Sequence, residues 1–174
     1  MYNIQIIENI KRRNKLILDK LDAVTSTKFS NLYTDALNMG ILLLYFSGYR
    51  DLEKQNQLYQ KYLRGEGGIA AKPGYSWHNY GRAVDLVPVK ESGENDWNSK
   101  FYPAIDILAK RYGLKWMGWQ DSPHFTDSRG ETIEQLIKNP PIIITKTKRL
   151  IPIIIGISLL ALFVGFEMYK RFKR

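Results

Sequence analysis

Residues 82–89 read RAVDLVPV, and apolar residues recur along them as they do in a half-buried β-strand. The pattern carries a carboxylate, Asp85, between Val84 and Leu86. Aspartate is disfavoured in strands, and a carboxylate among aliphatic neighbours needs a strong partner. Arg82 is one candidate partner and a metal ion is another. Any fold this chain adopts has to bring a compensating charge to the middle of that strand.

Composition narrows the choice. The 174 residues hold no cysteine and two histidines, which removes disulfides, thiolate nucleophiles and every Cys-based zinc site. A catalytic zinc site takes three protein ligands and keeps a position open, so here the ligands must be His, Asp or Glu. His78 lies between a Pro-Gly turn and the strand, in KPGYSWHNYG, and His124 lies between Pro123 and Phe125, in WQDSPHF. Neither is on the exposed face of a helix. Each residue alone also has an ordinary reading: a satisfied histidine, or an aspartate paired with an arginine.

Helical spacing predicts a helix over residues 5–23 and a second with Phe29, Leu32, Ala36 and Leu37 on one face, closed at Gly40. ILLLYF, residues 41–46, has strand length. A helix follows from about Leu52 to Leu63, with Gln55, Leu58, Tyr59 and Tyr62 on one stripe. After the loop GEGGIAAKPG comes the strand already described, ending at Pro88. A polar loop covers 90–99, and a helix near 101–112 is closed by Gly113. LKWMGW and HFT are short strand candidates, and ETIEQLI is a last short helix. Helices first, then short strands joined by loops, predict an α+β fold with a small, mainly antiparallel sheet and packed helices.

The formal charge of +9 raises nucleic acid or membrane as partners. Its location decides. From Lys138 onward there are eight Lys or Arg and one acid, Glu167, whereas residues 1–137 carry eighteen basic and sixteen acidic residues. The basic excess belongs to the tail, so no nucleic-acid partner is expected. MYNIQIIENIKRRNK places charges where a signal peptide needs an apolar stretch. Asn139-Pro140-Pro141 stops any helix, and LIPIIIGISLLALFVGF, residues 150–166, is an unbroken apolar run between basic flanks. As a helix it would span roughly 26 Å, close to the hydrocarbon core of a bilayer. The expected organisation is a domain at 1–137, a basic linker at 138–149, one C-terminal transmembrane helix at 150–167 contacting lipid, and a basic tail at 168–174.

SWHNYGRAVD, residues 76–85, matches the Ser-x-His-x-x-Gly-x-Ala-x-Asp pattern of zinc peptidases that cut D-amino-acid bonds in bacterial cell walls. This is the family of D-alanyl-D-alanine carboxypeptidases, D-Ala-D-Ala dipeptidases and L-alanyl-D-glutamate endopeptidases. SGYRDLEKQNQLY, residues 47–59, resembles the family's upstream Tyr-Arg segment and the Gln-x-x-Leu-Tyr after it. AKPGYSWHNYGRAVDLVPV and YGLKWMGWQDSPHF are similar to its endopeptidase and endolysin branch. The resemblance runs from about residue 25 to 127 in the family's order, and the apolar tail lies outside it.

The resemblance implies one zinc ion held by His78, Asp85 and His124. It makes Asp121, three residues before His124, the catalytic acid, taking a proton from the attacking water and returning it to the leaving amine. Arg50 would steady the substrate carbonyl as negative charge develops; its plainer reading is an ion pair with Asp51 or Glu53. Asp127 is an alternative carboxylate ranked below Asp121. Ser76, Gln55, Tyr80 and Trp119 complete the set as candidate substrate-binding residues. Ser76 is read as shaping the ligand turn rather than as a nucleophile, since no third histidine activates it. Trp77, Tyr80, Trp116 and Trp119 either line a peptide groove or pack in the core.

The implied activity is hydrolysis of peptidoglycan stem peptides at the L-Ala–D-Glu bond, with D-Ala–D-Ala carboxypeptidase action as the alternative. A non-catalytic peptidoglycan-binding module and a membrane-disrupting lysis protein are the rivals from other classes. The expected setting is a single-pass membrane protein whose catalytic domain faces peptidoglycan, in a bacterial inner membrane or a membrane-containing virion. A phage lytic enzyme or a cell-wall remodelling enzyme would fit.

Overall fold

The computed structural model describes residues 2–141. The expected linker from residue 142 onward, the transmembrane segment 150–167 and the tail lie outside the described residues. Among the described residues, no helix is long and apolar enough to cross a membrane. The elements run α1 (Ile4–Leu18), α2 (Ala23–Asn38), β1 (Leu42–Ser47), α3 (Leu52–Leu63), β2 (Ala83–Val89), α4 (Tyr102–Arg111), β3 (Lys115–Trp116), β4 (His124–Thr126) and α5 (Ile133–Lys138). Short 3-10 turns at Trp77–Tyr80 and Trp119–Asp121 precede β2 and β4. The four strands form one sheet in the order β1-β2-β4-β3 with every pairing antiparallel. The α+β expectation therefore holds for the described domain.

The alternation of β2 sorts its side chains onto two faces. Val84 and Leu86 join Leu43 and Tyr45 of β1 and Phe125 of β4 in a core closed by Phe29, Leu32 and Ala36 of α2 and by Ile105, Leu108 and Ala109 of α4. On the opposite face, Val87 and Val89 meet Leu42, Leu44 and Ile10 of α1. Asp85 shares that second face but sits at the other end of the strand, beyond the cluster that α1 covers. The uncovered half of this face becomes the cleft.

Helix α1 ends at Leu18, five residues before the predicted limit. The cause is Asp22. Its carboxylate accepts hydrogen bonds from the N–H groups of Val24 and Thr25 and so caps α2. Its own N–H donates to the carbonyl of Gly81 at 3.1 Å. Leu21, which lengthened the apparent periodicity, is buried in the turn. Pro88 lies within β2 rather than ending it. The second edge of β2 faces no strand there, because β4 pairs no further along β2 than Asp85; the Pro88 carbonyl accepts from the N–H of Asp96 in the following loop, so the missing N–H falls on the loop side of the strand.

The free edge of β1 is closed by a side chain of α1, and Tyr2 before that helix holds the end of the β1–β2 pair. Buried Asn14 donates to the carbonyl of Leu43 at 2.8 Å and accepts from the N–H of Tyr45 at 2.8 Å, as a neighbouring strand would. The hydroxyl of Tyr2 donates to the carbonyl of Val89.

Gly81 ties the two halves together. Its φ is +64°, and a Cβ there would stand 2.8 Å from the backbone nitrogen of Asp22. Both the left-handed backbone and the close approach require glycine. Gly81→Ala is expected to cost roughly 2–3 kcal/mol, lowering the melting temperature by on the order of 10 °C in a thermal unfolding experiment. An unchanged melting temperature would mean that the α1–α2 turn can shift away freely.

Candidate metal centre and cleft

Three elements bring the predicted ligands together. Asp85 and His124 are cross-strand partners in the β2–β4 register, so their side chains leave the same face of the sheet. His78 arrives from the 3-10 turn before β2. His78 Nε2 is 3.2 Å from Asp85 Oδ1, His124 Nδ1 is 2.9 Å from the same oxygen, and the two ring nitrogens are 3.2 Å apart. Among the described residues these three form a group that could hold a metal ion.

The donor chemistry fits that role. His78 Nδ1 lies 2.6 Å from the carbonyl of Gly48. A carbonyl only accepts, so Nδ1 carries the proton and Nε2 of the neutral ring turns its lone pair inward. With His124 and Asp85 also facing inward, three acceptors converge, which a cation or added protons must stabilise. For metal–ligand bonds of about 2.0–2.1 Å, the edge of a tetrahedron is roughly 3.3–3.4 Å, close to the observed separations.

Burial alone would raise the pKa of Asp85. When protons rather than a cation occupy the inward nitrogens, hydrogen bonds from His124 and His78, with the charge those protons bring, overcome it and hold the carboxyl well below its ordinary value. The carboxylate is thus ionised across the neutral and mildly acid range.

Arg82 is not the partner of Asp85; it pairs with Glu131. Arg50 fills that place instead. One of its N–H groups donates to Asp85 Oδ2 at 3.4 Å, another to Ser47 Oγ at 2.9 Å, and a third to Gln55 Oε1 at 3.0 Å. Asp51, the partner that the plainer reading supplied, caps α3 through the N–H of Lys54. The backbone of Arg50 is docked on the ligand turn: its N–H donates to the carbonyl of His78, and its carbonyl accepts from Asn79. Ser47 is the β1 partner of Asp85, so Ser47, Asp85 and His124 form one rung across the sheet.

The cluster stands in a cleft of about 400 Å³, whose lining includes Arg50, Gln55, Ser76, His78, Asp85, Asp121 and His124. Asp121, on the turn before β4, is exposed at its rim. Desolvation by the cleft walls raises its pKa above 3.8; the Asp85 carboxylate adds to the rise, and His124, His78 and Arg50 oppose it. The indole N–H of Trp116 donates to the carbonyl of Ser122 at 2.7 Å and pins this turn.

Two candidates stand elsewhere. Tyr80 is buried, donates to the carbonyl of Gly74, and borders a neighbouring cavity with Tyr49, Leu52 and Pro73. Trp119 packs edge-on against Trp116 and Tyr102, with its outer side in solvent. Neither is among the residues lining the cleft. Gln55 is buried, and besides Arg50 it reaches the carbonyl of Ala71 at 2.7 Å, so it braces the cleft wall. Asp127 is fully buried, held by Lys28 at 2.6 Å, Arg129 at 2.9 Å and Thr25 at 2.9 Å. It is a structural anchor between α2 and the end of β4. The sequence reading missed Ser47 and Gly48; SGYR drew attention to their neighbourhood but not to these contacts, and Trp116, read as groove or core, turns out to hold the Ser122 carbonyl.

Residues 18–129 match the VanY family, described as D-alanyl-D-alanine carboxypeptidase. The chain is 30% identical over 104 residues to the peptidoglycan L-alanyl-D-glutamate endopeptidase CwlK of Bacillus subtilis (strain 168). That match covers 51% of this chain and 62% of CwlK, less than two thirds of the relative's length. Among solved structures, VanYB in complex with D-alanyl-D-alanine is similar with a TM-score of 0.51 at 19% identity, over 70% of this chain and 84% of that one. The vancomycin-resistance D,D-pentapeptidase VanY in complex with Zn(II) gives 0.50 at 20% identity, over 68% and 78%. At such identities the structures show a shared fold. The family match spans well over half the chain and contains His78, Asp85 and His124, and this chain belongs to the VanY D-alanyl-D-alanine carboxypeptidase family.

Proposed function

We propose that the protein is a zinc-dependent peptidase of peptidoglycan stem peptides, and that it hydrolyses the amide between L-Ala and D-Glu. The observation that carries the reading is the triangle of His78, Asp85 and His124 in an open cleft, with Asp121 and Arg50 beside it. Family membership supports peptidase chemistry, and the similarity to CwlK supports the choice of bond. The ion is proposed as zinc because the donor set suits it and a relative of the same fold is in complex with Zn(II).

When bound, zinc supplies Lewis-acid polarisation of the scissile carbonyl and makes water a competent nucleophile near neutral pH. The rest falls to side chains. Asp121 takes the proton from the attacking water and returns it to the leaving amine. Desolvation by the cleft walls favours its taking up that proton, and the positive charge beside it opposes this. Arg50 has three of its five N–H groups engaged by Gln55, Ser47 and Asp85. The other two remain for the substrate carbonyl oxygen as it gains charge. With the guanidinium already fixed, little reorganisation accompanies that step.

The apolar run 150–166 between basic flanks supports a membrane anchor that holds the domain against the cell wall. The endolysin-like motifs support a phage lytic role. After cell fractionation the full chain is expected in the membrane fraction, released by detergent and retained in high salt; release by salt alone would reduce attachment to surface charge.

Incubation of the full chain with purified peptidoglycan is expected to create new Ala carboxyl and Glu amino ends, identified by mass spectrometry. They should vanish on chelation and return with zinc. Free D-Ala instead would move the reaction to the D,D-carboxypeptidase side. Zinc uptake without any cleavage would favour a binding module.

Asp121→Asn is expected to lower kcat by about 10²–10⁴-fold with zinc content unchanged. His78→Ala or His124→Ala should lose the zinc itself, read by metal analysis. A general base is lost as pH falls through its pKa, which desolvation raises at Asp121 and neighbouring positive charge lowers. The acid limb of kcat for the zinc-saturated enzyme is therefore expected to move in Asp121→Glu. A limb that stays in place in that variant would remove Asp121 from the role of base.

A further inference from the structure

Strand β1 contains a bulge. Tyr45 pairs with Leu86 and Ser47 with Asp85, so Phe46 is the extra residue between them. A bulge re-aims one side chain without losing the register on either side. Here it sets Ser47 opposite Asp85 and turns Phe46 outward, where the ring lines the cleft and stays 39% exposed. The ring of Trp97, itself 48% exposed, meets it edge to face, with centroids 5.2 Å apart and planes at 73°.

Trp97 is not on a loose tip. In its loop the N–H of Asp96 donates to the carbonyl of Pro88 at 2.8 Å, Lys90 to Glu94 at 2.8 Å, and Ser99 to Asp96 at 3.1 Å. Asn95 also bridges to Val89. Two large aromatic rings are thus held at a steep corner, partly in water, with Phe46 lining the cleft and Trp97 packed against it from outside that lining. Such exposure is unfavourable for the isolated domain and typical of a surface that awaits an apolar face.

We infer that Phe46 and Trp97 form a saccharide subsite, holding a pyranose ring of the glycan strand to which the stem peptide is attached. The inference rests on the peptidoglycan reading above. The residues flanking either candidate bond carry methyl groups or a carboxylate, too small or too polar to fill an aromatic corner. A pyranose ring presents a flat face of C–H groups edged by hydroxyl and acetamido groups. Its flat face suits an aromatic ring and its edges suit the polar run Asn95–Lys100 around Trp97. In the L-Ala–D-Glu bond the acyl residue is one step from the sugar, so a substrate seated on the metal centre brings a pyranose to the mouth of the cleft.

The test separates this inference from the peptidase reading because it begins with binding. Peptide-free glycan oligosaccharides are titrated into the full chain, followed by intrinsic tryptophan fluorescence. Saturable binding is expected, weakened about tenfold in Trp97→Ala and largely restored in Trp97→Phe. On hydrolysis, Trp97→Ala should raise KM for a sugar-bearing muropeptide by a much larger factor than KM for the same peptide without sugar. Binding by a chain that cleaves nothing would keep the subsite and sink the peptidase. Absence of glycan binding by the parent chain, or an equal KM rise for both substrates, would overturn the subsite.

Discussion

One partly buried carboxylate organises this domain. Asp85 lies on the middle strand of the β1-β2-β4 array, and an ionised group so placed costs several kcal/mol unless it is answered by charge and hydrogen bonds. The answer comes from three separate stretches of chain. His124 reaches it across the β2–β4 ladder, His78 from the turn before β2, and Arg50 from the loop after β1. Those stretches are also bound to each other. The carbonyl of Gly48 orients His78, and the backbone of Arg50 is hydrogen-bonded to His78 and Asn79. The left-handed Gly81 that lets β2 begin also receives the turn between α1 and α2. Helix packing, strand register and ligand geometry are therefore one problem with one solution.

The same alternation separates the two carboxylates on either side of His124. Asp121 and Asp127 each stand three residues from His124. Along β4, His124 faces the cleft and Phe125 faces the core. Asp127 follows the side of Phe125, where Lys28, Arg129 and Thr25 surround it. Removing its partners would strand a charge in the interior, so its place is structural. Asp121 precedes the strand on a turn held by Trp116 and reaches the rim of the cleft. Solvent access on one side and desolvation on the other give it a raised pKa without burying it.

Much of this was legible in the chain itself. The period-two pattern of RAVDLVPV, the helical stripes of α2 and α4, and the unusual settings of both histidines all follow from local rules that survive in the folded protein. What could not be read depends on contacts between distant segments. The end of α1 is set by Asp22 meeting Gly81, not by its own periodicity. Asn14 looked like one more polar residue on a helix, yet it closes the edge of β1. Four tryptophans and tyrosines looked alike as groove candidates; Trp77 lines the cleft, whereas Trp116 and Trp119 pack around Tyr102 and Tyr80 bonds to Gly74. Aromatic residues carry no periodic signature that tells a wall from a core. Nor does a bulge announce itself: ILLLYFS reads as a continuous apolar strand, and only its register against β2 shows that Phe46 is displaced.

Arg50 joins the candidate metal ligands to the cleft wall. Asp85 offers Oδ1 to the histidine side and Oδ2 to the guanidinium. A carboxylate whose negative charge is shared with an arginine gives less of it to a bound cation, which leaves that cation more electrophilic. In the proposed mechanism the other two N–H groups of the guanidinium serve the substrate oxygen. Gln55 and Ser47 set its plane, and Gln55 also grips the backbone at Ala71 in the cleft wall. A lysine at this position would supply the positive charge but not the planar fork. It could not face Gln55, Ser47, Asp85 and a substrate at once, because an ammonium has three donors and no fixed plane. The requirement for arginine thus comes from the number of partners converging on one cation, a property of the folded cleft.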